Sequence, residues 1–364
     1  MNSKIKILIV APSMRNFGGQ SIQAKNLIDA FKNDETFDLE LVENDPTTFL
    51  QIKYLRTLAK SVKFWLKLIK KIPKSDLVHV SSAAKSGYLV ATIPPFIISK
   101  LFRKPVLLHY HSGELEEHIK KWKMTSLPVM RRFEQVVVPS EFLAKIFADF
   151  GIRAEIIANF VDLNKFKFRT RNPLRPFFLS NRNFEEHYNV ADVLRAFQII
   201  SQKFPQAKLI VVGSGKKEQE LKNLATELKL KEVEFVGKVT NEQMASYYDR
   251  ADIYLNASLV DNMPVSLIES FACGLPVVSY ATGGINFMIE NRKTGILIPK
   301  GDYKALAKAA IELLEDNHLA QQIIENARIE AKRYEPVGII KKWRKIYGQM
   351  LSLPTASSSE AKPF

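Results

Sequence analysis

Two acidic residues, Asp261 and Glu269, lie eight positions apart around a predicted helix start. A proline in the first turn and a glycine just past the last turn favour a helix over Pro264–Ala272. On that prediction Asp261 lies in the loop ahead of the helix, and Glu269 projects from its second turn. Carboxylates placed in this way could accept hydrogen bonds from the hydroxyls of a sugar.

The first turn of the same helix could bind an anion. The amides of Val265, Ser266 and Leu267 have no carbonyl acceptor one turn earlier, so they can point at a phosphate. Hydroxyl acceptors beside phosphate donors fit a sugar diphosphate. The alternative is an ordinary helix entering a parallel sheet, with two solvated acids, and the spacing alone does not choose between them.

Composition excludes several other kinds of site. The single cysteine, Cys273, rules out an internal disulfide or a cysteine cluster, and it weakly indicates an intracellular setting. The six histidines show no HExxH-like pairing, so we expect no zinc. The chain has no apolar run of transmembrane length, and its start leads into a strand pattern rather than a signal peptide.

The positive charge of the chain is concentrated in its first half. Residues 1–176 carry 29 lysines and arginines against 16 aspartates and glutamates, which gives +13 of the total +15. We therefore expect this half to meet something acidic.

Segment 53–74 contains the most distinctive basic pattern of that half. Apolar residues and cations recur at three- and four-residue steps, at Leu55, Leu58, Val62, Trp65, Ile69 and Ile72 and at Lys53, Arg56, Lys60, Lys63, Lys67, Lys70 and Lys74, with Lys71 as an eighth cation. At about 100° per residue the two stripes fall on roughly opposite faces of a helix. One interpretation is a surface helix packing its apolar stripe on a sheet, and another is a helix on an anionic lipid surface with Phe64 and Trp65 near the headgroups. We expect no nucleic-acid partner, since no recognition module accompanies the helix.

Strand and helix patterns alternate along the whole chain. The predicted strands are Ile5–Val10, Leu39–Val42, Leu77–Val80, Pro105–Tyr110, Gln135–Pro139, Ala154–Ile157, Phe177–Ser180, Lys208–Val212, Val233–Val236, Asp252–Leu255, Pro276–Ser279 and Ile296–Ile298. This alternation predicts an α/β chain of two doubly wound, Rossmann-like halves with a cleft between them. Segment 159–176 reads as the crossing between the halves, 87–101 as one helix, and 112–126 as a loop without a pattern.

Loops that follow predicted strands supply further candidate residues. Gly18-Gly19 follows the first strand, where backbone can approach phosphate or sugar closely. His111 falls at the end of another strand, on the edge where open α/β sheets bind ligands. The alternative for His109, His111 and His118 is a solvated loop histidine.

A second glycine pair also follows a strand directly. Gly213-Ser214-Gly215 lacks the third glycine and the downstream acid of a dinucleotide site, so the sequence does not support NAD binding.

In this order of elements the chain resembles the family 4 glycosyltransferases, which are retaining, nucleotide-sugar-dependent enzymes with two facing Rossmann-like domains, the GT-B fold. The similar motifs are GGQSIQAKNL, VVVPSEFLAKIF, IIANFVDLNKF, FVGKV, DNMPVSLIESFACGLPVV and GGINFMIENRKTGILIP. The likeness covers about residues 5–350. It implies an acceptor-side domain over 1–165 completed by a C-terminal helix at about 336–351, a nucleotide-sugar domain over 166–335, and a disordered tail over 352–364.

The resemblance also implies roles for individual residues. Glu269 would bind the ribose, Asp261 the donor sugar, and Arg182 the leaving diphosphate, while His111 would lie close to the transferred sugar. The other donor-binding positions would be Gly18, Gly19, Tyr188, Gly213, the base-contacting Gly237, Lys238 and Val239, and the diphosphate-contacting Val265, Ser266 and Leu267.

Three departures from the family pattern stand out. Asp261 is one methylene shorter than the usual glutamate, and Phe287 replaces a frequent glutamate in the GGINF segment. Tyr188 occupies the position of a lysine that usually assists the arginine in binding phosphate. His187, Lys216 or Lys217 are candidates to replace that cation.

The resemblance thus implies a retaining glycosyltransferase of hexosyltransferase type, passing a sugar from a UDP- or GDP-type donor to a glycan or lipid-linked acceptor. Its predicted setting is cell-surface polysaccharide or glycolipid synthesis, in the cytoplasm, with a hypothetical peripheral contact to the inner membrane face through 53–74. No tightly bound cofactor and no metal are implied, because Arg182 and the helix N-terminus can neutralise the diphosphate. The alternatives are a sugar phosphorylase on the same fold and a non-catalytic nucleotide-sugar- or carbohydrate-binding protein.

Overall fold

The computed structural model describes residues 4–13, 18–44, 53–82 and 84–353. The chain divides into two compact units, one running to Asn159 and resuming at Pro336, the other spanning Phe160–Glu335. The tail predicted over 352–364 lies outside the described residues beyond position 353.

The strands and helices alternate along both units. The strands are β1 Ile5–Ala11, β2 Phe37–Glu43, β3 Leu77–Ser82, β4 Val106–Tyr110, β5 Gln135–Val138, β6 Glu155–Ile156, β7 Phe177–Asn181, β8 Lys208–Val212, β9 Val233–Gly237, β10 Ile253–Asn256, β11 Val277–Tyr280 and β12 Ile296–Ile298. The helices are α1 Gly19–Ala30, α2 Lys53–Lys71, α3 Ser86–Ala91, α4 Ile93–Leu101, α5 Leu115–Lys121, α6 Lys123–Met130, α7 Glu141–Asp149, α8 Val190–Lys203, α9 Glu218–Glu227, α10 Asn241–Arg250, α11 Val265–Cys273, α12 Tyr303–Glu315, α13 Asn317–Ala331 and α14 Pro336–Met350. All twelve predicted strands form, each within two residues of its predicted ends.

Each unit contains one six-stranded parallel sheet. The strand orders are β2-β1-β3-β4-β5-β6 and β12-β11-β10-β7-β8-β9. The prediction of two doubly wound parallel sheets is therefore confirmed. In such sheets ligands bind beyond the carboxyl ends of the strands where the order reverses, here between β1 and β3 and between β7 and β10.

The central strands are apolar on both faces because helices cover both sides of a parallel sheet, whereas the edge strands β2, β6 and β9 carry exposed residues. All six residues of β3 and all five of β4 are buried. α14, although last in the chain, packs in the first unit, where it contacts α1.

Two helix predictions in the first unit are wrong. The single helix expected over 87–101 is interrupted at Thr92 into α3 and α4. Pro94 and Pro95 lack the N–H groups that would continue the hydrogen bonds of the preceding turn. The expected loop over 112–126 instead contains α5 and the start of α6.

Helix α2 forms, but it does not pack through the predicted stripe. Between Leu58 and Lys71, Phe64 and Leu68 are the buried apolar residues, and neither belongs to the predicted apolar stripe. Ile72, which does belong to it, is buried in the short turn that follows the helix. Five apolar side chains remain 44–62% exposed, namely Leu58, Val62, Trp65, Leu66 and Ile69. The expectation that the apolar stripe faces the sheet is therefore wrong, because the helix rests on a second, narrower row that starts at Phe64.

Segment 159–176, expected as a crossing, is mostly built into the second unit. Its arginines are anchored there, with Arg171 fully buried and Arg175 ion-paired to Asp252. The structure thus makes this segment part of a folded unit rather than a linker.

Candidate functional site

An ion pair lies at the strand-order reversal of the second sheet. Arg182 follows β7 directly, and its Nη2 pairs with Oδ2 of Asp261, in the loop after β10. Arg182 Nη1 also donates to Ser266 Oγ at 3.3 Å, and its Cζ lies 4.3 Å from the centroid of the Tyr188 ring. The other Asp261 oxygen, Oδ1, accepts from the Asn262 N–H at 2.9 Å. The fold thus gathers three of the predicted site residues around Arg182.

The arginine stays charged in this setting. Burial disfavours its charged form, but the Asp261 carboxylate and neighbouring tyrosines outweigh that effect and raise the pKa of Arg182 above its usual value. Its Nε is buried and has no hydrogen-bond partner among the described residues. A buried donor without an acceptor is costly, and an anionic ligand would satisfy it.

Helix α11 carries the second acid of the predicted pair. Glu269 is only 5% exposed, and its Oε2 accepts from the hydroxyl of Tyr248 at 2.7 Å. Burial raises the pKa of the Glu269 carboxyl to about 7. The hydrogen bond from Tyr248 lowers this pKa, but its effect is smaller than that of burial. Asn181 Nδ2 donates to the same tyrosine oxygen at 2.8 Å.

The start of α11 is connected to this network through one hydroxyl. Ser266 Oγ accepts from Tyr254 at 3.0 Å as well as from Arg182. Pro264 is the N-cap and provides no side-chain cap, while the Leu267 N–H bonds the Pro264 carbonyl at 3.2 Å. The predicted helix therefore begins one residue later, at Val265, and presents its first turn beside Arg182.

Glycines bring the surrounding loops into contact. A Cβ on Gly213 would lie 2.1 Å from the Arg182 carbonyl oxygen, and one on Gly284 would lie 1.9 Å from that of Asn262. Since neither distance is tolerable, only glycine permits these approaches. Gly213 therefore supports the Arg182 loop from behind, whereas the sequence assigned it to donor binding.

Neither lysine proposed as a substitute cation stands unpaired. Lys217 pairs with Glu186 at 2.9 Å and Glu220 at 2.8 Å, and Lys216 lies 3.4 Å from Glu185. The His187 carbonyl accepts from the Leu259 N–H at 2.8 Å, which joins this loop to the one after β10.

The residues predicted to contact the base follow β9. Gly237, with φ of +80°, ends the strand, and a Cβ there would meet no atom within 4 Å. Lys238 is exposed and Val239 is partly exposed. These three residues thus leave open space for a ligand, and their role stays a prediction.

In the first unit, three histidines lie close together. His79 on β3 accepts or donates at both ring nitrogens, with His109 Nδ1 at 3.1 Å and the Tyr347 hydroxyl at 2.8 Å. The His109 and His111 ring centroids are 3.9 Å apart, and Trp343 stacks on His79 at 4.8 Å.

Removal from water keeps the three histidines neutral, although only His79 and His109 are fully buried and His111 is partly exposed. Desolvation lowers the pKa of His79 and His111 to about 3 and that of His109 well below its usual value. The solvated-loop alternative is wrong for His109, which lies inside β4. It is also wrong for His118, which is buried on α5 between the Tyr110 hydroxyl and Ser126 Oγ, at 2.9 Å from each. Pattern analysis missed His79, Tyr248 and Tyr347. His79 and His109 lie on neighbouring strands, where the register partner of His79 is Leu107, so the two rings meet diagonally.

The glycine loop of the first unit lies at the strand-order reversal of its sheet. The Gly18 N–H donates to Ser21 Oγ at 3.2 Å, and Gln20 Nε2 donates to the Ser82 carbonyl at 2.7 Å. A Cβ on Gly19 would meet nothing within 4 Å. The backbone at the start of α1 is thus open, while residues 14–17 of the loop lie outside the described residues.

Metal and membrane-spanning features were searched in the described parts of the chain. No group of three or more histidine, cysteine, aspartate or glutamate side chains there could hold a metal ion. None of the helices described is both long and apolar enough to cross a bilayer.

Comparison with known proteins gives two family matches in sequence. Residues 23–165 match the family model "Glycosyltransferase Family 4", and residues 162–330 match "Glycosyl transferases group 1". A glycosyltransferase of uncharacterised function from Haemophilus influenzae is 30% identical over 42% of this chain and 44% of its own. The alpha-monoglucosyldiacylglycerol synthase of Acholeplasma laidlawii is 24% identical over 80% of this chain and 81% of its own.

Two further findings concern how much of its relatives this chain spans and how closely it superposes on a solved structure. Across four curated relatives the chain spans about half of their length, namely 44%, 54%, 44% and 44%. The Anabaena protein HepE, solved with UDP and glucose, superposes with a TM-score of 0.76 at 20% identity, over 95% of this chain and all of that one. The fold is therefore GT-B, as the resemblance implied. With both family models matched in order, the chain belongs to the family 4 glycosyltransferases.

Proposed function

We propose that this protein transfers a sugar from a nucleotide diphosphate sugar to a glycan or lipid-linked acceptor, with retention at the anomeric carbon. The observation that carries the proposal is the cationic Arg182, buried beside the first turn of α11 at the strand-order reversal of the second sheet. Both groups favour an anion, and sheets of this kind bind ligands at that edge.

In this proposal the protein acts mainly by stabilising the leaving diphosphate. Bond cleavage builds negative charge on the diphosphate. Fixed donors there stabilise the transition state more than they stabilise the bound substrate, and this difference lowers the barrier. Arg182 and the amides of Val265 and Ser266 supply those donors, whereas the Leu267 amide, predicted as a third, already donates to the Pro264 carbonyl. The acceptor attacks on the face that the diphosphate leaves, so no protein nucleophile is assigned and no metal is required.

Glu269 is the proposed ribose ligand. Tyr248 holds one of its carboxyl oxygens at 2.7 Å, which leaves the other oxygen for a hydroxyl of the nucleotide. Gly237, Lys238 and Val239 provide the open strand end for the base. Since the structurally similar HepE was solved with UDP, a uridine donor is the first to test.

The first unit is the proposed acceptor side, carrying Gly18, Gly19 and His111. His111 follows β4 in contact with a neutral histidine pair, so it can donate or accept a hydrogen bond without carrying charge. One relative is named as a synthase of a glucosylated diacylglycerol, which supports a lipid-linked acceptor as one class.

Helix α2 supports contact with an anionic membrane. The exposed row Leu58, Val62, Trp65, Leu66 and Ile69 lies on the same helix as the predicted lysine stripe. α4, which packs against α2, exposes three further apolar side chains, Ile97, Leu101 and Phe102, at 42–74%. A helix that carries exposed apolar side chains on one face and lysines on another suits the headgroup region of a bilayer.

A donor panel with product detection tests the reaction. We expect turnover with one UDP- or GDP-sugar and a loss of at least about 100-fold in Glu269→Ala, because the ribose ligand is removed. Glu290→Ala, at an exposed acid of the same unit, is the matched control and should keep wild-type turnover.

Other outcomes select the alternatives. Binding without turnover would indicate a non-catalytic binding protein, and phosphate-dependent release of a sugar phosphate would indicate a phosphorylase. Unchanged turnover in Glu269→Ala would contradict the proposed site.

Flotation with phosphatidylglycerol vesicles tests the membrane contact. Charge reversal at Lys60, Lys63 and Lys67 should weaken binding at least tenfold, since each lysine near an anionic surface contributes about 1 kcal/mol. Ile329→Ser, which removes an exposed apolar residue of the second unit, should change nothing. Binding that is insensitive to the charge reversal would contradict the proposal.

A further inference from the structure

The guanidinium of Arg182 is held on three sides. Nη2 pairs with Asp261, Nη1 donates to Ser266 Oγ at 3.3 Å, and the ring of Tyr188 lies 4.3 Å from Cζ. Only 10% of the arginine side chain remains exposed. A long and flexible side chain is thus fixed in one position before any ligand binds, which removes an entropic cost of binding.

Asp261 has a partner at each of its three oxygens in this arrangement. Its Oδ2 pairs with Arg182, its Oδ1 accepts from the Asn262 N–H at 2.9 Å, and its carbonyl accepts from the Gly284 N–H at 3.2 Å. The close approach of Gly284 to Asn262 fixes the same loop from the other side. Both carboxylate oxygens therefore have partners within the second unit.

Tyr188 contributes a ring where a second cation was expected. The face of an aromatic ring attracts a guanidinium but adds no positive charge. Lys217 is paired with two glutamates. The local charge is then one arginine against one aspartate, so an incoming diphosphate meets a nearly neutral pair.

We propose that Asp261 is a positioning residue that holds Arg182 as its counter-ion, together with the stacked Tyr188, and that nucleoside diphosphate competes with Asp261 for the arginine. This inference rests on the proposed function and changes the role of Asp261 from a ligand of the donor sugar to a determinant of diphosphate affinity. Arg182 Nε, buried without a partner, is the donor that the diphosphate would engage first.

Calorimetric titration with UDP and GDP, which carry no sugar, separates the two roles. Asp261→Asn removes a negative charge beside the diphosphate, so we expect its Kd for the preferred nucleotide to fall about three- to tenfold. Asp261→Glu keeps the charge and should stay closer to the wild type. With saturating donor sugar, the turnover number of Asp261→Asn should nevertheless fall, because the arginine is less well fixed.

The same titration tests how much the Tyr188 ring contributes to nucleotide affinity. Tyr188→Leu should weaken nucleotide binding about threefold, and Tyr188→Phe, which keeps the aromatic face, should weaken it less. Arg182→Lys loses the planar fork and should weaken it at least about tenfold. Thermal unfolding of each variant shows whether a change in affinity reflects a loss of fold.

Three results would overturn the inference. Unchanged affinity of Asp261→Asn for the bare nucleotide with weaker binding of the nucleotide sugar would make Asp261 a sugar ligand. Weaker nucleotide binding in both Asp261 variants would make its role only structural. If wild-type protein binds neither UDP nor GDP and turns over no donor, the proposed function fails together with the inference.

Discussion

Each unit contains a parallel sheet with the same number of strands, yet the two units differ in the ionisable groups that they enclose. The first unit holds neutral histidines, and the second holds charged pairs. The first unit encloses His79, His109 and His111, whose pKa values are all lowered so that the rings are neutral. The second unit encloses charged arginines beside carboxylates, at Arg182 with Asp261 and at Asp252. Neutral donors and acceptors suit the recognition of hydroxyls, and fixed charges suit phosphate, so the difference matches the division of labour proposed for the two units.

The Asp252 cluster shows how the second unit stabilises buried charge. Three arginines surround this aspartate, namely Arg169, Arg171 and Arg175. Arg171 also donates to four carbonyls, those of Tyr248, Ala251, Arg169 and Cys273. Two of these carbonyls lie in the last turns of α10 and α11, where a cation is favourable. This cluster therefore ties the ends of two helices that flank the candidate site.

The largest expected effect is on this cluster. Arg171→Met should lower the free energy of unfolding of the second unit by about 4 kcal/mol, because it leaves buried carbonyls and Asp252 with fewer partners. Denaturant unfolding followed by circular dichroism measures the change, since the three tryptophans of the chain all lie in the first unit. Arg292→Ala, at an exposed ion pair with Glu312, is the control and should cost less than about 1 kcal/mol. A similarly small loss for Arg171→Met would show that buried charge does not distinguish the second unit.

Glu269 provides the next effect, with a defined pH dependence. Its pKa in the folded protein is about 7 against about 4.5 in the unfolded chain, so the folded state binds the extra proton between these values. Its contribution to stability is therefore present below pH 4.5 and is lost as the pH rises through 7. Relative to that of the wild type, the free energy of unfolding of Glu269→Gln should rise by about 3 kcal/mol between pH 4.5 and 8. A difference that does not vary with pH would mean that the carboxyl titrates normally.

His79 should show the opposite dependence and a smaller effect at accessible pH. Its folded pKa of about 3 lies below the usual 6.5, so its stabilising contribution is present above pH 6.5 and is lost as the pH falls toward 3. At pH 5 the loss relative to pH 8 is about 2 kcal/mol, which His79→Phe should remove. Unfolding curves at several pH values, recorded for His79→Phe and for the exposed-site control His318→Phe, measure it. Equal acid sensitivity of the two variants would remove the contrast between the units.

Much of the architecture could be predicted from local patterns. All twelve strands form where strand patterns predicted them. For the central strands the reason is that a strand buried on both faces needs an apolar, β-branched run regardless of its neighbours. α5 and α6 were missed because Pro128 interrupts a short, weakly periodic segment. The α3–α4 break was missed because the apolar pattern continues across Thr92.

For the site, the residue types were visible in the sequence but their partners were not. The sequence by itself determined that Arg182 and Asp261 lie in loops after strands and that Glu269 lies in the second turn of a helix, since those positions depend on neighbours in the chain. Only the tertiary structure decided that Arg182 meets Asp261 across 79 positions, that Glu269 is covered by Tyr248, and that α2 leaves its larger apolar row exposed. The physical reason is that pairing and burial depend on which strands lie side by side, and a parallel sheet brings together residues that are distant in the chain.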